Sequence, residues 1–274
     1  YAELAGLPPI TGLYTSVAAG LVYTLAGTIR QAQVGPTSTS SILTAAAIAP
    51  MAAGDLPRAT ALAAMLALMV AAILLGAYAL RLGFIADYLS RSVLIGFAAA
   101  ISLVIIAAQL PNLLGITGVS TATFQTTIRG IAENLGDLDV ESLALGLGAL
   151  AVLLILRRVA PRVPRELIVV VAATMLVSAF GLADTVRVVG DVPAGLPGPA
   201  LPDVSWQDAE TLAGPAFGIA LIAFVETMAI GRTFARSRRY PIDPRRELLA
   251  LGIGNAASGL FQGYPANASF AQTA

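Results

Sequence analysis

The chain contains no cysteine, no histidine and no lysine in 274 residues. Each absence removes chemistry. Without cysteine there are no disulfides, thiol nucleophiles or thiolate metal sites. Without histidine there is no imidazole ligand, proton shuttle or serine–histidine pair. Without lysine there is no Schiff base. Charge is also scarce, at 12% of residues against about 25% in soluble domains. No phosphate loop, dinucleotide glycine pattern or metal-ligand spacing occurs. An enzyme finds no apparatus here. No cofactor, metal or nucleic-acid partner is expected.

What is abundant is apolar surface: 57% hydrophobic residues and a mean hydropathy of +0.81. That composition predicts an integral membrane protein. The apolar runs are not alternating, so helices are expected and a membrane barrel is not. Residues 1–7 read as the tail of a first helix closed by Pro8-Pro9, and a second helix runs from about 10 to 27. Further apolar runs cover about 59–80, 93–110, 140–156, 167–182, 212–230 and 248–261. Several are shorter than the roughly 20 residues a straight span needs. Residues 120–135 suit a surface amphipathic helix. The chain opens and closes inside apolar sequence and reads as part of a longer protein, with no signal peptide in view.

Arginine supplies all 16 basic residues, and its placement predicts topology. If the first helix ends outside and crossings alternate, only Arg58, Arg129 and Arg187 lie outside. The other 13 lie inside, a positive-inside pattern. The arginines of 232–239 anchor a helix at the inner surface or meet lipid headgroups. The outside loops are acidic, and the longest, 183–211, carries Trp206 and is expected to join two structural halves.

One polar island interrupts this pattern: Gln33-Val34-Gly35-Pro36-Thr37-Ser38-Thr39-Ser40-Ser41. A β-like start leads through proline into a hydroxyl-rich helical turn, then the apolar run 42–49. A helix starting in mid-membrane aims its first N–H groups at something. The hydroxyls either cap that half-helix or join its N–H groups in holding an anion. A related turn occurs at Gly263-Tyr264-Pro265-Ala266-Asn267-Ala268-Ser269. Two broken segments running in opposite directions point to a transporter built from inverted repeats. Asn255 and Gln262, just ahead of the second turn, read as packing groups.

Acids within the spans are the remaining candidates. Glu226 sits in Ala220-Leu-Ile-Ala-Phe-Val-Glu226, where a lipid-facing carboxylate would cost about 2.5–3.5 kcal/mol. It reads as a proton- or cation-binding group, with an interfacial carboxyl as the plainer alternative. Glu3 is the weaker second candidate.

These stretches resemble the sulfate permease (SulP) family of anion transporters. The similarity lies in Tyr1-Ala-Glu-Leu-Ala-Gly-Leu-Pro-Pro-Ile-Thr-Gly-Leu-Tyr14, Val34-Gly-Pro-Thr-Ser38, Glu247-Leu-Leu-Ala-Leu-Gly-Ile-Gly-Asn255, Ser258-Gly-Leu-Phe261 and Ser269-Phe-Ala-Gln-Thr-Ala274. The resemblance implies an all-α polytopic fold of seven plus seven inverted segments, shared with nucleobase symporters, with short β-like stretches before two half-helices. It implies a core domain over 1–82 and 212–274, a gate domain over 83–183, and a linking extracellular loop at 184–211. The remaining gate segments and a cytoplasmic STAS domain would lie beyond these residues. The implied anion site comprises Tyr1, Pro36, Thr37, Ser38, Phe270, Ala271 and Gln272, with Glu226 carrying the coupling ion. Many members have Ser-Arg where this chain has Ala271-Gln272, so a fixed positive charge is absent. The expected function is secondary active transport of a sulfate-, bicarbonate- or carboxylate-class anion by alternating access, coupled to protons or sodium. A passive anion channel or exchanger and a nucleobase–proton symporter are the alternatives. A homodimer in the bacterial inner membrane, in contact with lipid, completes the expectation.

Overall fold

The structure, a computed structural model, describes residues 1–88, 91–119, 124–160, 163–182, 186, 195 and 197–269. It is built from helices: α1 Pro9–Ala26, α2 Ser38–Ala52, α3 Leu56–Ala79, α4 Arg91–Leu114, α5 Phe124–Glu133, α6 Val140–Val159, α7 Arg165–Ala179, α8 Trp206–Arg238 and α9 Pro244–Leu260. Two short strands, β1 Val34–Gly35 and β2 Asn267–Ala268, pair antiparallel. Among the described residues, α1, α3, α6 and most of α8 are long and apolar enough to cross a membrane.

Two sequence expectations are corrected. Residues 1–7 contain only a 3₁₀ turn, Glu3–Ala5, ended by Gly6 in the left-handed region. Helix α8 is far longer than the apolar run 212–230. It begins at Trp206, inside the stretch read as loop, because Ser205 and Asp208 form a reciprocal capping box there. Such a cap satisfies the first N–H groups without needing apolar residues, so the run marks only the middle of the helix.

The chain forms two compact units, residues 1–99 with 192–274, and residues 100–191. In the first, α3 is central. Leu62, Leu66, Val70 and Leu74, four residues apart on one face, are buried. Against α3 lies α9, which brings glycine to the contact. A Cβ on Gly259 would sit 2.8 Å from the Ala64 carbonyl, and one on Gly252 would strike Leu75. Small residues let two backbones approach closely, the usual basis of helix association in lipid.

In the second unit α6 packs on α7. Leu147, Leu150, Leu154 and Ile155 of α6 remain exposed, as do Val170 and Met175 of α7. Such apolar faces suit hydrocarbon rather than water.

Candidate functional site

The start of α2 is where the polar island folds. Pro36 is buried and delivers an extended Thr37 (φ −123°, ψ 161°) to the N-cap position. Thr37 Oγ1 accepts from Ser40 N at 3.1 Å, and Ser40 Oγ accepts from Thr37 N at 3.1 Å. Serine here does the work glutamate does in the usual capping box. Ser41 N donates to Thr37 O at 2.9 Å and opens the helical ladder. Ser38 N–H and Thr39 N–H therefore have no acceptor within the helix. They stand at a helix end worth about half a positive charge.

The strand pair brings distant residues to this end. Val34 lies opposite Ala268 and Gly35 opposite Asn267. Asn267 Oδ1 accepts from Thr37 Oγ1 at 2.7 Å. Its Nδ2 donates to Glu226 Oε2 of α8. Thr39 Oγ1 donates to Glu226 Oε1 at 2.9 Å. The next residue, Thr227, accepts from Ala268 N at 3.2 Å. Neighbouring residues of α8 thus hold the side chain of Asn267 and the backbone that follows it.

The approach to β2 is held from several helices. Tyr264 N donates to Thr15 Oγ1 of α1 at 3.0 Å, and Ser258 Oγ donates to Tyr264 O at 2.7 Å. The Tyr264 hydroxyl meets Ser41 Oγ at 3.1 Å. Asn255 grips both backbone groups of Ala266, each at 2.9 Å. Gly263 is required at the start of this path, since a Cβ there would lie 2.5 Å from both Ser258 Oγ and Thr15 Oγ1.

Glu226 is half-buried and both of its hydrogen-bond partners are neutral. The salt bridges among the described residues lie elsewhere, at Arg58–Asp208, Arg129–Glu133 and Arg165–Glu166. One carboxylate therefore faces the partial charge of the α2 N-terminus.

The structure thus brings Pro36, Thr37, Ser38 and Glu226 together. Thr37 is revealed as a cap whose proton is committed to Asn267. Ser38 is half-buried at the first helical position. Tyr1 is 44% exposed. Glu3 is exposed in the 3₁₀ turn and is not among the groups bonded to Glu226. Phe270, Ala271 and Gln272 lie outside the described residues. Thr39 and Asn267, in the two polar turns read as capping or anion-binding groups, both donate to Glu226. Asn255, read as a packing group, is the clamp on the second half-turn.

Sequence reasoning missed Glu247. It is fully buried at the start of α9. It accepts from Tyr23 OH at 2.6 Å, from Thr28 N and Oγ1, and from Ile29 N at 3.2 Å. It therefore clasps the loop between α1 and β1. Beside it Tyr240 OH donates to Gln31 Oε1 at 2.6 Å, and Arg30 lies over the Tyr240 ring. Following Arg245-Arg246, an acid looks like half of a surface ion pair. The available clue was that it also opens an apolar run.

The model of the sulfate permease family matches residues 1–274. A probable sulfate transporter of Mycobacterium tuberculosis is 43% identical over all of this chain and 49% of its own length. A chloroplastic sulfate transporter of Arabidopsis thaliana is 31% identical over all of this chain and 41% of its own. The chain thus spans about half the length of the relatives it matches. Among solved structures, the murine Solute Carrier 26 family member A9 anion transporter, in its inward-facing state, superposes with a TM-score of 0.88 at 29% identity. It covers 99% of this chain and 49% of that one. The transmembrane domain of a cyanobacterium bicarbonate transporter gives 0.87 at 22% identity over 99% of this chain and 70% of its own, a likeness of fold alone.

Proposed function

The chain belongs to the sulfate permease family of membrane transporters, and from that premise we propose that it forms part of a secondary active anion transporter driven by protons. The anion, of sulfate, bicarbonate or carboxylate class, binds at the N-terminus of α2. Glu226 takes the coupling proton. One observation carries this reading: the Glu226 carboxylate stands beside the α2 N-terminus, and its hydrogen-bond partners among the described residues are the neutral donors Thr39 and Asn267.

The accompanying picture is alternating access. Residues 1–82 and 212–274 form a core, 83–183 a gate, and the two belong to inverted repeats in an inner-membrane homodimer. The compact grouping of 1–99 with 192–274, apart from 100–191, supports such a division. The antiparallel pairing of the two short strands supports opposed chain directions at the site.

The test is uptake into liposomes by the full-length protein, using labelled sulfate, bicarbonate and dicarboxylates under imposed proton or sodium gradients. Concentrative uptake driven by acid outside is expected, with loss of the drive in Glu226→Gln. A Glu3→Gln arm separates the two acids. Undiminished acid-driven uptake in Glu226→Gln overturns the assignment. Purely passive fluxes would turn the reading toward a channel.

A further inference from the structure

Helix α5 carries an apolar face that the rest of its own unit leaves open. Phe124 is 47% and Ile128 42% exposed, and Leu135, in the 3₁₀ turn that follows, is 54% exposed. At about 100° per residue, Phe124, Ile128 and Ile131 fall within an arc of roughly 60°. Roughly a right angle away on the same wheel, Thr127 is buried and Gly130 packs on Val119, where a Cβ would lie 2.8 Å from Cγ1. Opposite the apolar arc stand Thr126, Arg129 and Glu133, all exposed. Arg129 and Glu133 pair at 2.7 Å, one turn apart. The helix thus has one side against protein, an adjacent side apolar, and a charged side facing away from the apolar one.

The two ends of the excursion that carries α5 are tied together. Asp139 N, at the start of α6, donates to Leu114 O, at the end of α4, at 3.0 Å. Gly115 permits this closure, since a Cβ there would lie 2.5 Å from Asp139 Cβ. The segment carrying α5 therefore leaves and returns at one level, the boundary where α6 begins to cross. At that boundary a helix flanked by protein has lipid beneath it and water above it. Its three faces match those three surroundings.

We infer that α5 lies flat in the membrane interface, with Phe124, Ile128, Ile131 and Leu135 inserted at the boundary between lipid headgroups and acyl chains. The partner is the lipid surface itself. The apolar face is continuous in character with the exposed leucines of α6, and interfacial helices of this kind bury their apolar side about 5–10 Å deep.

The sequence lacks cysteine, which simplifies the experiment. Ile128→Cys, Leu135→Cys and Arg129→Cys are introduced singly into the full-length protein with any other cysteine removed. They are labelled with an environment-sensitive fluorophore and reconstituted in phosphatidylcholine–phosphatidylglycerol vesicles. Quenching by lipids brominated high on the acyl chain is expected to be at least about threefold stronger at 128 and 135 than at 129, with iodide showing the reverse order. Equal iodide access at all three positions overturns the proposal, because the face is then in water. Protection of 128 and 135 from both quenchers also overturns it, because another protein segment then covers the face. Retained transport by each labelled protein shows that the fold survives.

Discussion

Replacing Glu226 by glutamine tests the electrostatics of the site most directly. Thr39 contributes one of the free N–H groups of α2, and its hydroxyl lies 2.9 Å from Glu226 Oε1. An anion seated on those N–H groups therefore lies roughly 6 Å from the carboxylate. Two like charges at that separation repel by about 3 kcal/mol at an effective dielectric constant of about 20. The pull of the helix end is the same whichever protonation state Glu226 adopts, so it cancels from the comparison. The difference in affinity is then about 100-fold. Glutamine keeps the shape and the neutrality of the protonated acid. Its carbonyl can accept from Asn267 while its amide donates to Thr39, whose hydroxyl works in either sense. The sign follows: acid neutralises the carboxylate and tightens anion binding, and alkali weakens it. Equilibrium binding of the labelled anion to purified full-length protein, measured across a pH series, should show the dissociation constant of the unmodified protein rising with pH by up to about 100-fold. The glutamine variant should stay flat at the tight limit. A flat response at the weak limit, or an unchanged pH slope, would refute the reasoning.

The remaining expectations concern neighbouring contacts. Thr39→Val removes one donor to Glu226 and should alter the pH profile of anion binding, while Thr39→Ser leaves it in place. Glu247→Ala strands the Tyr23, Thr28 and Ile29 donors in the interior and should cost about 3 kcal/mol or more, read as a drop in thermal stability in detergent. Gly259→Leu should separate α3 from α9 and lose folded protein altogether, as judged by size-exclusion chromatography. Asp139 caps α6, and its bonds with Ser142 and the Glu141 and Ser142 backbone hold its carboxyl below the usual range. A depressed folded pKa gives stability that is present above the unfolded value and lost as pH falls through the folded one. Thermal melts of Asp139→Asn across acid pH should lack that loss.

Much of the site was readable from residue types. Pro36 followed by five hydroxyl residues can hardly be lipid-facing helix interior, and Glu226 stands out because an acid in an apolar run is costly. Glu247 did not stand out, because an acid after two arginines fits an interfacial turn equally well. Its burial depends on a loop more than two hundred residues earlier in the chain. The true start of α8 was hidden for a related reason: a capping box is polar, and polarity also marks loops.

By itself, the sequence determined that the chain lives in a membrane, that it lacks the groups of most enzyme chemistries, and where its first half-helix begins. Those follow from composition and local order, which are properties of neighbours along the chain. Only the tertiary structure decided that Thr37, Glu226 and Asn267 meet. Two strands of two residues each pair across more than two hundred positions, and no local preference encodes a partner at that distance. The hydrogen bonds that join these three residues exist because α8 and the strand pair converge on the start of α2.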